Sequence, residues 1–272
     1  MQINDKPIGV FDSGLGGLTV AREIIRQIPD EKIVYFGDTA RVPYGSKSKG
    51  TIIHYVEQIL NFLKTKEVKA IVIACNTASA YALEEVRGNV DVPIVGVVKP
   101  GARVAAAATK NRKVGVIGTE GLVKSGLYTS FIQEIDPAIQ VFAKACPLFV
   151  PLVEEGWWKD PITTDIAKRY LEEMKQEQVD TLIMGCTHYP LLRSTIREVM
   201  GPNVNLINPA YETAVEIRRI LEWNDLLREP GGNEEDKHHF YVSDDPEQFY
   251  RFATSVLKFD IPMAEKINIE EY

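Results

Sequence analysis

Two ten-residue stretches constrain this chain more than any others: A-I-V-I-A-C-N-T-A-S at 70–79 and T-L-I-M-G-C-T-H-Y-P at 181–190. Each is an apolar run too short for a helix, then a small residue, a cysteine, and polar groups that open a new pattern. That order reads as a buried strand with a cysteine at its carboxyl end. In an open α/β sheet, ligands bind in the crevice at the carboxyl ends of the strands. Cys75 and Cys186 are therefore expected at one site, built from two halves that face each other.

The surrounding pattern agrees. Residues 6–11 (K-P-I-G-V-F) read as a strand entering D-S-G-L-G-G, after which Leu18, Ala21, Ile24, Ile25 and Ile28 recur at helical spacing. Residues 33–36 give a second strand, followed by the loop G-D-T-A-R-V-P-Y-G. Ile52, Val56, Ile59, Leu60 and Leu63 mark an amphipathic helix, residues 77–86 another helix, and residues 92–97 a further strand. Such alternation predicts an α/β fold with mainly parallel sheets.

The second half begins again. Residues 113–118 (K-V-G-V-I-G) and the following T-E-G-L-V-K-S-G-L-Y repeat the hydrophobic pattern and glycine turn of I-G-V-F-D-S-G-L-G-G-L. Setting Gly118 on Asp12 offsets the halves by 106 residues, and setting Cys186 on Cys75 offsets them by 111. This near agreement predicts a duplication, with two pseudo-symmetric α/β domains and the site in the crevice between them. Residues 140–143 read as a strand, C-P-L-F-V-P-L-V-E-E-G-W-W as an irregular apolar loop, and 161–176 as a helix. After Cys186 come a helix through Val199, a strand at 205–207 and a helix at 210–222. Material beyond about 208 exceeds the second unit, so the expected division is 1–98 with 209–272 as a discontinuous first domain and 99–208 as the second. In the returning segment, 227–237 reads as a charged surface loop. Residues 238–242 read as an edge strand, 246–257 as a helix, and the acidic tail 265–272 as poorly packed.

Charge and cysteine usage narrow the partners. With 38 acidic and 31 basic residues the net charge is −7, and no basic cluster interrupts it, which argues against nucleic acid or an anionic membrane surface. Three cysteines cannot all pair internally, and free thiols suit a reducing cytoplasm. The opening M-Q-I-N-D-K-P lacks a signal-peptide profile, and no run approaches ~18 apolar residues. A cytoplasmic protein acting on a small molecule is expected.

A cysteine at a strand end is most often a small buried hydrophobe, and Cys146 reads that way. Cys75 and Cys186 differ because N-T and T-H follow them. A helix starting at each would offer free N–H groups and a positive dipole end, which lower a thiol pKa from ~8.5 and hold carboxylates. With His188 the thiols could ligate a metal, although there is no C-x-x-C pair and only three ligands are evident. They could close a redox disulfide, although no thioredoxin-like motif is present. Or they could act as acid and base on opposite faces of one carbon and invert it with no cofactor. Asp12 and Ser13 open a glycine loop that lacks G-K-[ST] and a full G-x-G-x-x-G, and an aspartate there would repel phosphate. Asp12 suits a substrate ammonium or assistance to Cys75, as His188 suits assistance to Cys186. An inverting enzyme, a metal-dependent hydrolase using Cys75, Cys186 and His188, and a non-catalytic binding module all remain open at this level.

The motifs I-G-V-F-D-S-G-L-G-G-L, Y-F-G-D-T-A-R-V-P-Y-G, A-C-N-T-A-S and G-C-T-H-Y-P, in this order across essentially the whole chain, resemble the glutamate racemases of the aspartate/glutamate racemase family. The resemblance implies cofactor-independent racemisation of glutamate that supplies D-glutamate for peptidoglycan, with aspartate as the alternative substrate. It implies Cys75 acting on the D and Cys186 on the L enantiomer. It also implies substrate contacts from Asp12, Ser13, Tyr44, Gly45, Asn76, Thr77, Thr187 and His188, and supporting places for Asp38 and Glu154. Some members of the family are homodimers, and a homodimer is the expectation here.

Overall fold

The computed structural model describes residues 2–231, 238–259 and 261–272. Its strands form two sheets in which every pairing is parallel. The first half contributes β1 (Ile8–Asp12), α1 (Leu18–Gln27), β2 (Ile33–Gly37), α2 (Lys49–Thr65), β3 (Ala70–Ile73), α3 (Asn76–Val86), β4 (Ile94–Gly96) and α4 (Val98–Ala108). The middle contributes β5 (Lys113–Gly118), α5 (Glu120–Ser125), α6 (Leu127–Ile135), β6 (Gln140–Ala145), α7 (Phe149–Glu154), α8 (Pro161–Gln176), β7 (Thr181–Gly185), α9 (Arg193–Met200) and β8 (Asn205–Ile207). The chain closes with α10 (Pro209–Trp223), β9 (His238–Val242), α11 (Pro246–Leu257) and β10 (Glu265–Lys266).

The strand orders are β10-β9-β2-β1-β3-β4 and β6-β5-β7-β8. Four strands of the first sheet, β2-β1-β3-β4, thus repeat in order and direction as β6-β5-β7-β8. The repeat puts β3 and β7, each followed by its cysteine, in matching places beside the central strands β1 and β5.

Alternation along the strands explains why the central runs are continuously apolar. On the first sheet Ile8, Val10, Tyr35 and Val72 enter one core, while Phe11, Phe36, Ile71 and Ile73 enter the other. Successive side chains point to opposite faces, and both faces are covered by helices, so the only polar side chain these three strands carry, Asp12, sits at the carboxyl end of β1. The first of these cores runs on through α10 and α11 into the second sheet, where Val114, Val116, Leu182 and Ile183 join it.

Several expectations need correction. The strand at 238–242 is not at the edge, because β9 pairs with β2 on one side and with the two-residue β10 on the other. The acidic tail is packed rather than loose. Ile269 is 3% exposed, the Ile267 N–H donates to Val242 O at 2.9 Å, and the Tyr272 ring meets Phe62 edge-on with centroids 5.3 Å apart. Its isoleucines, spaced between acidic residues, supply the anchoring that net charge concealed. The apolar loop after Cys146 holds the short helix α7. Of the expected surface loop, 227–231 lies outside any helix or strand and 232–237 lies outside the described residues.

Candidate active site

Where the carboxyl ends of β1 and β3 face those of β5 and β7, a cavity of about 400 Å³ opens, a size suited to a small molecule. Ser13, Tyr44, Gly45, Cys75, Asn76 and Thr77 line it from one side, and Glu154, Cys186, Thr187 and His188 from the other. Ten of the twelve residues expected at the site thus share one wall system. Asp12 and Asp38, both fully buried, stand one layer behind it.

Each motif reaches the cavity for a local reason. Cys75 is the N-cap of α3, and the Ala78 N–H donates to its sulfur at 3.5 Å. Asn76 and Thr77 follow in the first turn, where backbone N–H groups have no partner within the helix and can meet a carboxylate. Asn76 accepts from Tyr128 Oη through Oδ1 at 2.9 Å, which leaves its amide NH2 to donate elsewhere. The second cysteine is built differently from expectation. No α-helix starts at Cys186; a 3-10 turn over Tyr189–Leu192 comes first, and α9 begins only at Arg193.

The glycine loop after β1 is a contact surface between the halves. A Cβ on Gly16 would sit 2.3 Å from Thr187 Oγ1 and 2.5 Å from His188 Nδ1, and one on Gly17 would sit 2.3 Å from Asp12 Cβ. Thr19 Oγ1 donates across the gap to Thr187 O at 2.8 Å. Asp12 itself accepts from the Gly14 N–H at 3.0 Å and from Thr187 Oγ1 at 3.5 Å. A carboxylate held this way braces the second half. Burial raises its pKa, partly offset by the positive charge of His188 and by backbone N–H donors.

The two thiols are electrostatically unlike. Cys75 is pushed up to about 12, first by burial and then by the negative charge of Asp12, against the smaller help of the Ala78 and Ser13 donors. The lowering expected from a helix N-terminus is therefore outweighed at this residue. At the other thiol, His188 Nδ1 lies 3.8 Å from Cys186 Sγ and His188 Nε2 lies 3.0 Å from Glu154 Oε1. Burial disfavours the imidazolium, but hydrogen bonds to Cys186 and Glu154, and the charges of both, carry its pKa up to about 10. Near neutral pH the arrangement is an imidazolium held beside Cys186 and a protonated thiol at Cys75.

Asp38 holds the wall rather than forming it. It accepts from Tyr44 Oη, from Arg41 Nε at 2.8 Å and from Ser243 Oγ at 2.9 Å. Among the described residues no three His, Cys, Asp or Glu side chains converge as a metal would require, so Cys75, Cys186 and His188 do not make a ligand set. No helix among them is long and apolar enough to cross a membrane.

Sequence reasoning missed Thr119 and Glu120, which line the cavity. Thr119 Oγ1 lies 2.8 Å from Thr77 Oγ1 and accepts from the Leu122 N–H at 3.2 Å, so it caps α5 while facing the site. The offset that sets Gly118 on Asp12 also sets Thr119 on Ser13, and that signal could have found it.

Residues 8–217 match the family described as Asp/Glu/Hydantoin racemase. The chain belongs to that family. Among family members, the glutamate racemase of Geobacter metallireducens is 47% identical over 265 residues, covering 97% of this chain and 97% of its own. The crystal structure of a glutamate racemase isoform from Bacillus anthracis superposes with a TM-score of 0.91 at 39% identity, over 97% of this chain and 98% of that one. A glutamate racemase from Francisella tularensis, solved in complex with D-glutamate, gives 0.91 at 36% identity over 99% and 100%.

Proposed function

We propose that this chain racemises glutamate by a two-thiol mechanism, with Cys186 and Cys75 as bases on opposite faces of Cα. The observation that carries the reading is the pairing of Cys75 and Cys186 in one small cavity, with the His188 ring beside only one of them. With L-glutamate bound, the Cys186 thiolate takes the Cα proton, leaving a carbanion whose electron pair then takes a proton from the Cys75 S–H on the other face. The product is D-glutamate, Cys186 is left as the thiol and Cys75 as the thiolate, and the reverse sequence operates on the D enantiomer. Ser13, Asn76, Thr77, Thr119 and Thr187 supply neutral donors for the two carboxylates. Tyr44 and Gly45 close the wall, and Glu154 orients His188. Asp12 acts from behind by fixing Thr187. The reading needs no metal or other cofactor.

The same proposal makes the protein a cytoplasmic supplier of D-glutamate for peptidoglycan, working as a homodimer. It divides the chain into units 1–98 with 209–272 and 99–208, a division supported by the parallel pairing of β9 with β2.

The test is incubation in D2O with a chelator and no added cofactor, offering L-glutamate and L-aspartate separately while following optical activity and deuterium at Cα. Racemisation with deuterium entering glutamate alone is expected. Preferential turnover of aspartate would move the substrate assignment, and a requirement for metal would replace the mechanism.

A further inference from the structure

The chain's last residues reach back to the cavity wall. Glu270, in a 3-10 turn at the C-terminus, accepts from Arg41 Nη1 at 3.1 Å through Oε1 and from Gln58 Nε2 at 3.2 Å through Oε2. Arg41 also donates to Gln58 Oε1, and its Cζ lies 4.0 Å from the centroid of the Tyr55 ring. Through Nε it donates to Asp38, and Asp38 accepts a hydrogen bond from the hydroxyl of Tyr44, a residue of the cavity wall. The path from Glu270 to the wall is thus three hydrogen bonds long. Arg41 and Asp38 within it are almost wholly shielded, with side chains 10% and 0% exposed.

Shielding decides why this path matters. An ion pair between exposed groups contributes little, and Glu270 is itself 62% exposed, but the guanidinium it meets is shielded and held between two carboxylates, with few alternative geometries. Glu270 and Gln58 both engage Nη1 at the outer end of the fork, while Arg41 Nε is directed at Asp38. The tail is fastened independently of this pair: Ile269 is buried, and Asn61 Nδ2 donates to Tyr272 O at 3.0 Å. Removing the Glu270 carboxylate therefore leaves the tail in place and changes what Arg41 and its neighbour Gln58 feel.

We infer that Glu270 is a positioning residue for the substrate cavity, acting through Arg41 and Asp38 on Tyr44. The inference rests on the proposed glutamate site, with Tyr44 as one of its walls.

The experiment is a double-mutant cycle of Glu270→Ala with Tyr44→Phe, which removes the hydroxyl that donates to Asp38. Glu270→Ala is expected to raise KM for glutamate about two- to fivefold, the scale of one partly shielded ion pair, with kcat and Tm close to parental values. It is also expected to speed iodoacetamide alkylation of Cys75 in substrate-free protein, read by peptide mass mapping at a fixed pH. Both changes should disappear when Tyr44→Phe is already present, and Glu270→Gln, which keeps the acceptor oxygen, should give smaller ones. Parental KM and parental alkylation in Glu270→Ala would overturn the inference, as would equal shifts with and without the Tyr44 hydroxyl. If the parent protein did not racemise glutamate at all, that would defeat the proposed function, and the alkylation cycle alone would decide the role of Glu270.

Discussion

Glu154 Oε1 lies 3.0 Å from Nε2 of His188. The other ring nitrogen faces Cys186 Sγ at 3.8 Å, so a carboxylate arriving on α7 fixes the imidazole beside one thiol. The groups acting on Cys75 are instead buried Asp12, Ser13 and the Ala78 N–H. Equivalent places in a duplicated fold have thus been given unlike electrostatics, and the two directions of a reversible inversion need not respond alike to pH.

Glu154→Gln tests the pairing. It removes one of the two partners that raise the His188 pKa to about 10, so the imidazolium gives up its proton at lower pH. The alkaline limb of kcat/KM for L-glutamate should move down by about one pH unit, with a smaller movement for D-glutamate. The stability effect has a definite sign. A raised histidine pKa contributes stability that is fully present below its ordinary value of 6.5 and is lost as pH rises through about 10. The Tm deficit of the variant should therefore be widest near pH 6 and narrow toward pH 10. An unchanged alkaline limb would remove Glu154 from the proton chemistry.

Thiol labelling should reveal the asymmetry directly. With the Cys75 thiol pushed up to about 12, little thiolate exists there at pH 8, whereas Cys186 has an imidazolium partner. Iodoacetamide should label Cys186 at least about tenfold faster than Cys75 in substrate-free protein. Mass mapping of partially labelled protein gives the ratio, and faster labelling of Cys75 would reverse the assignment of resting states.

Replacing either sulfur should stop the reaction. Cys75→Ser and Cys186→Ser each remove a general acid–base group and should lower turnover by about 10²- to 10⁴-fold in both directions. Circular dichroism establishes that the variants are folded, and polarimetry reads the rate. Near-parental racemisation by either one would end the two-base mechanism.

What the sequence revealed and concealed follows from where each signal resides. The central strands were legible because both faces of β1, β2 and β3 are buried, and an uninterrupted apolar run has few other uses. The cysteines stood out through the polar residues after them. Helix α4 was not legible: V-K-P-G-A-R-V-A-A-A-A carries a proline, tolerated because Pro100 lies in the first turn, and small residues that give no clear stripe. Glu154 could be placed only by resemblance, since it enters from a helix 34 residues before His188. The direction of the Cys75 shift was misread for a related reason. A helix start is written in local sequence, whereas the burial and the Asp12 charge that outweigh it come from other strands.

Gly16 offers the sharpest test of how the halves meet. A methyl there would stand 2.3 Å from Thr187 Oγ1 and 2.5 Å from His188 Nδ1, closer than real Cβ contacts allow. The loop cannot simply withdraw, because Thr19 Oγ1 lies 3.0 Å from Gly16 O and 2.8 Å from Thr187 O and ties both sides to α1. The strain should therefore fall on Thr187 and His188, turning the imidazole away from Cys186. Gly16→Ala is expected to cost about 1–3 kcal/mol in denaturant titration through overpacking. Its kcat/KM should fall by about 10²-fold, the scale of an ångström-level displacement at a reacting group. Gly50→Ala on α2, where a Cβ meets nothing within 4 Å, is the matched control and should be as active as the parent and at least as stable. Parental activity in Gly16→Ala would mean that the glycine loop does not set the position of His188, and the reason for D-S-G-L-G-G would have to be sought on the Asp12 side, where a Cβ on Gly17 meets the aspartate instead.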